Sequence, residues 1–173
     1  MNTVNAITFA TQAFVTLFVI MDPPGATPIF LGLVGDKSPK ERIRLAWQAA
    51  GVSLFVIASF AIFGQFILDY MHVSIEALQA AGGLLLLYVS LQLLTGTSKG
   101  GGDQKSSNIG MVPLGTPLLA GPGAIVATMI YVQKADTNTQ ILGLAIAILA
   151  VHIIIGTVLM ASTKIVGLIK NSE

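Results

Sequence analysis

The sequence predicts an all-α integral membrane protein with five transmembrane helices. Three observations carry that prediction. Of 173 residues, 54% are hydrophobic and only 10% charged, against about 25% charged in an average soluble domain. Charged side chains divide the chain into uncharged stretches at 1–21, 45–68, 77–98, 106–133 and 137–163, each of 21 residues or more. About 20 apolar residues cross a bilayer core of about 30 Å. Finally, the bases are split very unequally between the two sides. Lys37, Lys40, Arg42, Arg44, Lys99, Lys105, Lys164 and Lys170 all fall on one side if the stretches are crossings, and Lys134 alone on the other. The positive-inside rule places the N-terminus outside and the C-terminus in the cytoplasm, in a multi-pass protein of the cell's inner (plasma) membrane.

The same composition excludes other classes. Eight acids and nine bases cannot supply the polar shell that a small water-soluble domain needs. A net charge of +1 and the absence of cysteine argue against a nucleic-acid binder, a disulfide scaffold and a thiolate metal site. The stretches lack the period-2 alternation of a membrane β-barrel. No base precedes the first apolar run, so a cleaved signal peptide is not expected there.

In chain order, the first span ends in a break at Asp22-Pro23-Pro24-Gly25, with Pro28 one turn further on. The second opens with Ser38-Pro39-Lys40-Glu41, a capping box with proline at the first helical position, and carries Trp47 near the interface. Tyr70 and Tyr131 belong to an outer aromatic belt. Asp69 and Glu76 flank a solvated outer turn. In the third span, Gly82-Gly83 beside Ala80 and Ala81 marks a close helix-packing face. Residues 96–108, with three consecutive glycines, form a cytoplasmic linker between a first unit, 1–95, and a second, 109–173. The fourth span carries Pro113, Pro117 and Pro122. The fifth carries His152, which reads as a neutral histidine bonded across helices or as a proton relay.

The proline placement suggests an internal repeat. Pro23 and Pro28 are spaced as Pro117 and Pro122 are, an offset of 94 that lays Asp22 on Thr116 and Thr27 on Gly121. An odd number of spans per unit inverts the second, giving an inverted 3+3 repeat with the first helix of each unit broken. By the same offset, the second unit stops where its third helix would begin. In lipid, a proline break is tolerated only where protein or water satisfies the freed backbone groups. Two half-helix N-termini therefore point into the centre, where N–H groups and the positive dipole end suit a carboxylate. The site set is Asp22, Pro23, Gly25, Thr27, Pro28, Thr116, Pro117, Gly121, Pro122 and Gly123. Asp22 serves a substrate ammonium or coupling cation, caps a helix, or both. Gln12, Thr16, Gln48, Gln79, Ser90 and Gln92 read as interhelical contacts. No metal-ligand spacing, phosphate loop or nucleophile motif is present, so neither an enzyme nor a metal site is expected.

Two segments carry a family resemblance. Met21-Asp22-Pro23-Pro24-Gly25-Ala26-Thr27-Pro28-Ile29-Phe30 resembles the MDPxGxxPxF signature of the MarC family. Pro117-Leu118-Leu119-Ala120-Gly121-Pro122-Gly123-Ala124-Ile125 is similar to its PLxxGPGAI signature, and Gly82-Gly83-Leu84-Leu85-Leu86 to its third helix. The resemblance implies six spans in a full member and secondary transport of small neutral amino acids by alternating access. No cofactor is expected beyond a coupling Na⁺ or H⁺, and the candidate partners are a small neutral amino acid, the lipid bilayer and a second copy of the chain in a homo-oligomer. The alternatives are a channel or pore for small solutes or ions, and a non-transporting membrane scaffold.

Overall fold

The structure is a computed structural model that describes residues 5–95 and 119–170. Among these residues are six helices: α1 (Ala6–Met21), α2 (Pro23–Val34), α3 (Pro39–Met71), α4 (Ile75–Leu94), α5 (Pro122–Lys134) and α6 (Asn138–Lys170). No strand occurs among the described residues. The 96–108 linker, Thr116 and Pro117 lie outside them.

Each boundary follows from local chemistry. Asn5 caps α1 by accepting the Ile7 N–H at 3.2 Å. Pro23 cannot extend α1, because it has no N–H to give the preceding turn. Its fixed φ instead suits the first position of a new helix. Asp22 carries the join in a left-handed conformation, φ 40° and ψ 67°, and donates its own N–H to the Phe18 carbonyl at 3.1 Å. Three prolines in α2 leave it few N–H donors. At the α2–α3 turn, Arg42 is buried and donates from Nε to the Lys37 carbonyl at 2.9 Å and from Nη2 to the Gly35 carbonyl. The expected capping box opens α3: Ser38 N–H donates to Glu41 Oε2 at 2.9 Å, and Glu41 N–H donates to Ser38 Oγ at 3.4 Å. His72 ends α3 in a left-handed cap at φ 55°, and Ser74 Oγ accepts the Ala77 N–H at 3.2 Å to start α4. Gln140 Oε1 accepts the Asp136 N–H at 2.8 Å in the α5–α6 turn.

The long helix α6 organises the molecule, packing on α1, α2 and α3, while α5 packs on α1, α3 and α4. The core is a set of helix-spaced stripes. Phe9, Ala13, Leu17 and Met21 line α1, and Ala26, Phe30 and Val34 continue the stripe along α2 past the break. Leu144, Ala147, Ile148, Val151, Ile155 and Leu159 face them from α6, and Ala46, Ala49, Ala50 and Ile57 from α3. Small residues bring the axes close: Gly143 sits against Ala10, where an added β-carbon would lie 3.0 Å from the Ala10 Cβ. Inside the α3–α6 contact, His152 Nδ1 lies 2.7 Å from the Ile148 carbonyl and Nε2 lies 3.2 Å from Ser53 Oγ. A carbonyl can only accept, so Nδ1 carries the proton and Nε2 accepts from the serine hydroxyl.

The outer faces are apolar. Ile7, Phe55 and Phe66 are each more than 70% exposed, an arrangement that water disfavours and lipid accommodates. Among the described residues, three segments have both the length and the composition to cross a membrane: 29 residues over Ala6–Val34, 33 over Pro39–Met71 and 26 over Asn138–Thr163. The architecture is therefore an all-helical bundle with several membrane-crossing helices.

Candidate functional site

The break at Asp22 falls inside a 29-residue apolar segment, as the proline pattern predicts. Asp22 caps α2: its Oδ1 accepts the Gly25 N–H at 3.1 Å, and its carbonyl accepts the Ala26 N–H at 2.9 Å. Its side chain is exposed. Pro23 is buried at the start of α2, and Thr27 is half-buried with its hydroxyl donating to the Pro23 carbonyl at 3.0 Å. That bond occupies the first turn, next to the Pro24 carbonyl, whose helical donor Pro28 cannot supply. Gly25 and Pro28 are exposed.

The second motif opens α5. Gly121 is the N-cap residue, in an extended conformation and without a side-chain cap, and Pro122 takes the first helical position. The Gly121 carbonyl accepts the N–H groups of Ala124 and Ile125. In the offset register Pro122 lies on Pro28, whereas the first unit starts its helix at Pro23, five residues earlier. The two motifs share one buried cluster, in which Met21, Ala26 and Phe30 join Leu119, Ala120 and Ala124.

Beside this junction, α1, α4 and α5 line an open cavity of 390 Å³. On α5 its wall is Gly123, Val126, Ala127, Ile130, Tyr131 and Lys134. These recur at intervals of three and four residues and so form one face of the helix. Gln79, Gly82 and Gly83 supply one face of α4, and Thr16 and Ile20 one face of α1. Gly82 is required by the α4–α5 approach, since a β-carbon there would lie 2.9 Å from Val126 Cγ1. A β-carbon on Gly83 would meet nothing within 4 Å, so Gly83 leaves space to the cavity itself. Thr16 Oγ1 and Tyr131 Oη lie 3.0 Å apart and tie α1 to α5. Edge-on contact with Phe9, centroid distance 5.5 Å, orients the tyrosine ring.

Of the residues expected at a site, Gly123 lines this cavity; Asp22, Pro23, Gly25, Thr27, Pro28, Gly121 and Pro122 do not. Sequence reading placed Tyr131 in the aromatic belt and Lys134 in a loop count, and so missed both as cavity walls. The signal was present in the spacing 123, 126, 127, 130, 131, 134, readable once the start of α5 is known. Among the described residues, no group of three or more histidine or acidic side chains gathers as a metal site would require.

Residues 7–173 match the family described as MarC family integral membrane protein. UPF0056 membrane protein MJ1677 of Methanocaldococcus jannaschii is 35% identical over 159 residues, covering 87% of this chain and 78% of that protein. A UPF0056 membrane protein of Archaeoglobus fulgidus is 33% identical over 89% of this chain and 76% of its own length. UPF0056 membrane protein YvbG of Bacillus subtilis is 32% identical over 70% of this chain and 62% of its own length. No solved structure matches. With nearly its whole length aligned, the chain belongs to the MarC family of integral membrane proteins.

Proposed function

We propose that the protein is a secondary transporter of small neutral amino acids that works by alternating access, and that it performs no chemistry on the solute. The observation that carries this reading is the position of the cavity. It opens beside a proline-broken membrane helix, and its wall starts at Gly123, two residues past Gly121, the N-cap of the helix that carries the second proline motif. Transporters place substrates where discontinuous helices meet, and 390 Å³ falls in the range of about 300–1,000 Å³ usual for small-molecule sites.

The rest of the reading follows from that role. Five crossings arranged as an inverted repeat, with the N-terminus outside and the C-terminus in the cytoplasm of the plasma membrane, give the two proline motifs opposite orientations. A coupling Na⁺ or H⁺ drives accumulation, and a homo-oligomer anchors the moving parts in the bilayer. The exposed Asp22 carboxylate, held in place by the Gly25 N–H, is available to a substrate ammonium or coupling cation without giving up its cap.

The test is uptake of labelled glycine, alanine and serine into proteoliposomes under imposed Na⁺ or H⁺ gradients. Saturable, gradient-dependent uptake supports the reading. Linear flux with ionic conductance replaces it with a pore, and no flux of either kind with a scaffold.

A further inference from the structure

The cavity has a polarity that its family membership does not explain. Four of its lining side chains are polar: Thr16, Gln79, Tyr131 and Lys134. Among the described residues of the wall only Lys134 is charged, and none is a carboxylate. No hydrogen bond or ion pair involves its ammonium among the described residues. The polar groups are also ordered along the cavity. Gly123 and Lys134 are eleven residues apart on α5, about 16 Å at helical rise. The α5 wall therefore runs from the glycine beside the helix break to a cation at the exposed end. Between them stands the Thr16–Tyr131 hydroxyl pair.

We infer that this cavity is a binding site for a small carboxylate-bearing zwitterion. The Lys134 ammonium is its carboxylate anchor, and the oxygens of Gln79, Thr16 and Tyr131 are the acceptors for its ammonium. The inference rests on the transport reading for its substrate class, and it adds the residues. A cation at the open end of a cavity whose described wall carries no acid favours an anionic group and selects against a cationic solute. A charge-assisted bond from lysine to carboxylate is about twice as strong as a neutral one. The paired hydroxyls have lone pairs to spare, since each oxygen accepts two bonds and only one proton lies between them.

The experiment is equilibrium binding of labelled L-alanine to the purified full chain in lipid nanodiscs, alongside proteoliposome uptake. Competitors are L-alaninamide, which lacks the carboxylate, and propionate, which lacks the ammonium. Variants are Lys134→Gln, Lys134→Arg and Gly83→Leu. The last fills the cavity from a position where a β-carbon meets nothing within 4 Å, so the helix packing is preserved. Circular dichroism and size-exclusion profiles check folding.

We expect wild-type binding to be competed by excess alanine and not by alaninamide. Lys134→Gln weakens it by about tenfold or more, consistent with loss of a charge-assisted bond. Lys134→Arg restores most of it, and Gly83→Leu abolishes it. Folded Lys134→Gln and Gly83→Leu proteins that bind alanine as wild type does would overturn the site while leaving transport standing. Lys134-dependent binding without uptake would uphold the site and remove the transport reading. A wild-type protein that binds no alanine removes the site, and uptake then decides the transport reading separately.

Discussion

The Asp22 carboxylate occupies the space that a side chain on Gly25 would need. Oδ1 accepts the Gly25 N–H at 3.1 Å, and a β-carbon on Gly25 would lie 2.8 Å from Asp22 Cγ and closer still to Oδ2. The acid and the glycine of the first motif are thus one device. Asp22 ends α1 with a left-handed backbone and starts α2 with its side chain, and Gly25 makes room for that side chain.

A change of sign in a double-mutant cycle checks this coupling. In the wild-type background, Gly25→Ala displaces the cap, at about 1 kcal/mol, and crowds the carboxylate. In an Asp22→Gly background nothing is displaced, and alanine gains about 0.5–1 kcal/mol of helix propensity over glycine. Thermal unfolding in detergent is therefore expected to show destabilisation in the first case and stabilisation in the second. The same sign in both backgrounds would mean that the two residues act independently.

Asp22→Asn separates cap from charge. Asparagine is as good an N-cap as aspartate and tolerates the left-handed region, so stability stays within about 0.5 kcal/mol of wild type. Asp22→Ala loses the cap and keeps the strained backbone, and falls by about 2 kcal/mol. If the carboxylate serves an ammonium or coupling cation, Asp22→Asn folds but loses uptake or its ion dependence. Unchanged uptake would leave Asp22 with the cap alone.

Arg42 is expected to matter for stability more than for orientation. Its two bonds to the Gly35 and Lys37 carbonyls close the α2–α3 turn, and hydrogen bonds to charged groups are worth about 1.5–3 kcal/mol. Arg42→Ala should lower stability by about 2–3 kcal/mol, and Arg42→Lys should recover less than half, because an ammonium cannot reproduce the planar fork. Seven bases remain on that side, so cysteines at Asp36 and Asn138 should still label from opposite faces, with Asp36 cytoplasmic. Labelling of both from one face would contradict the topology.

The Ser53–His152 pair should behave as packing. Both ring nitrogens are engaged within the α3–α6 contact, and neither residue lines the cavity. Interhelical hydrogen bonds in membranes average about 0.6 kcal/mol and reach about 1.7. A Ser53→Ala and His152→Phe cycle should give a coupling in that range, and Ser53→Ala should leave any H⁺ dependence of uptake intact. Loss of H⁺ coupling in the folded Ser53→Ala protein would instead make the pair part of a proton path.

Much of this was legible from the chain because membrane proteins obey a few rules strictly. Uncharged runs, the Asp22-Pro23 break, the capping box at Ser38 and Glu41, and the Pro122 helix start each follow from one local constraint. The cavity was not legible, because its wall depends on which faces of α1, α4 and α5 converge. Thr16 read correctly as an interhelical contact, but nothing local says that Lys134, two residues from a turn, lines the same space as Gln79 and Gly83. Arg42 was counted as an inside charge, and its buried role as a turn clamp depends on how α2 returns to α3.

Alternating access is tested most directly by counterflow. Proteoliposomes loaded with unlabelled alanine and diluted into labelled alanine, without any ion gradient, should transiently accumulate label above the external concentration. Propionate loading should not produce this. A site exposed to one side at a time couples the two fluxes, whereas a pore does not. Equilibration of label without overshoot, unaffected by internal alanine, would contradict the account.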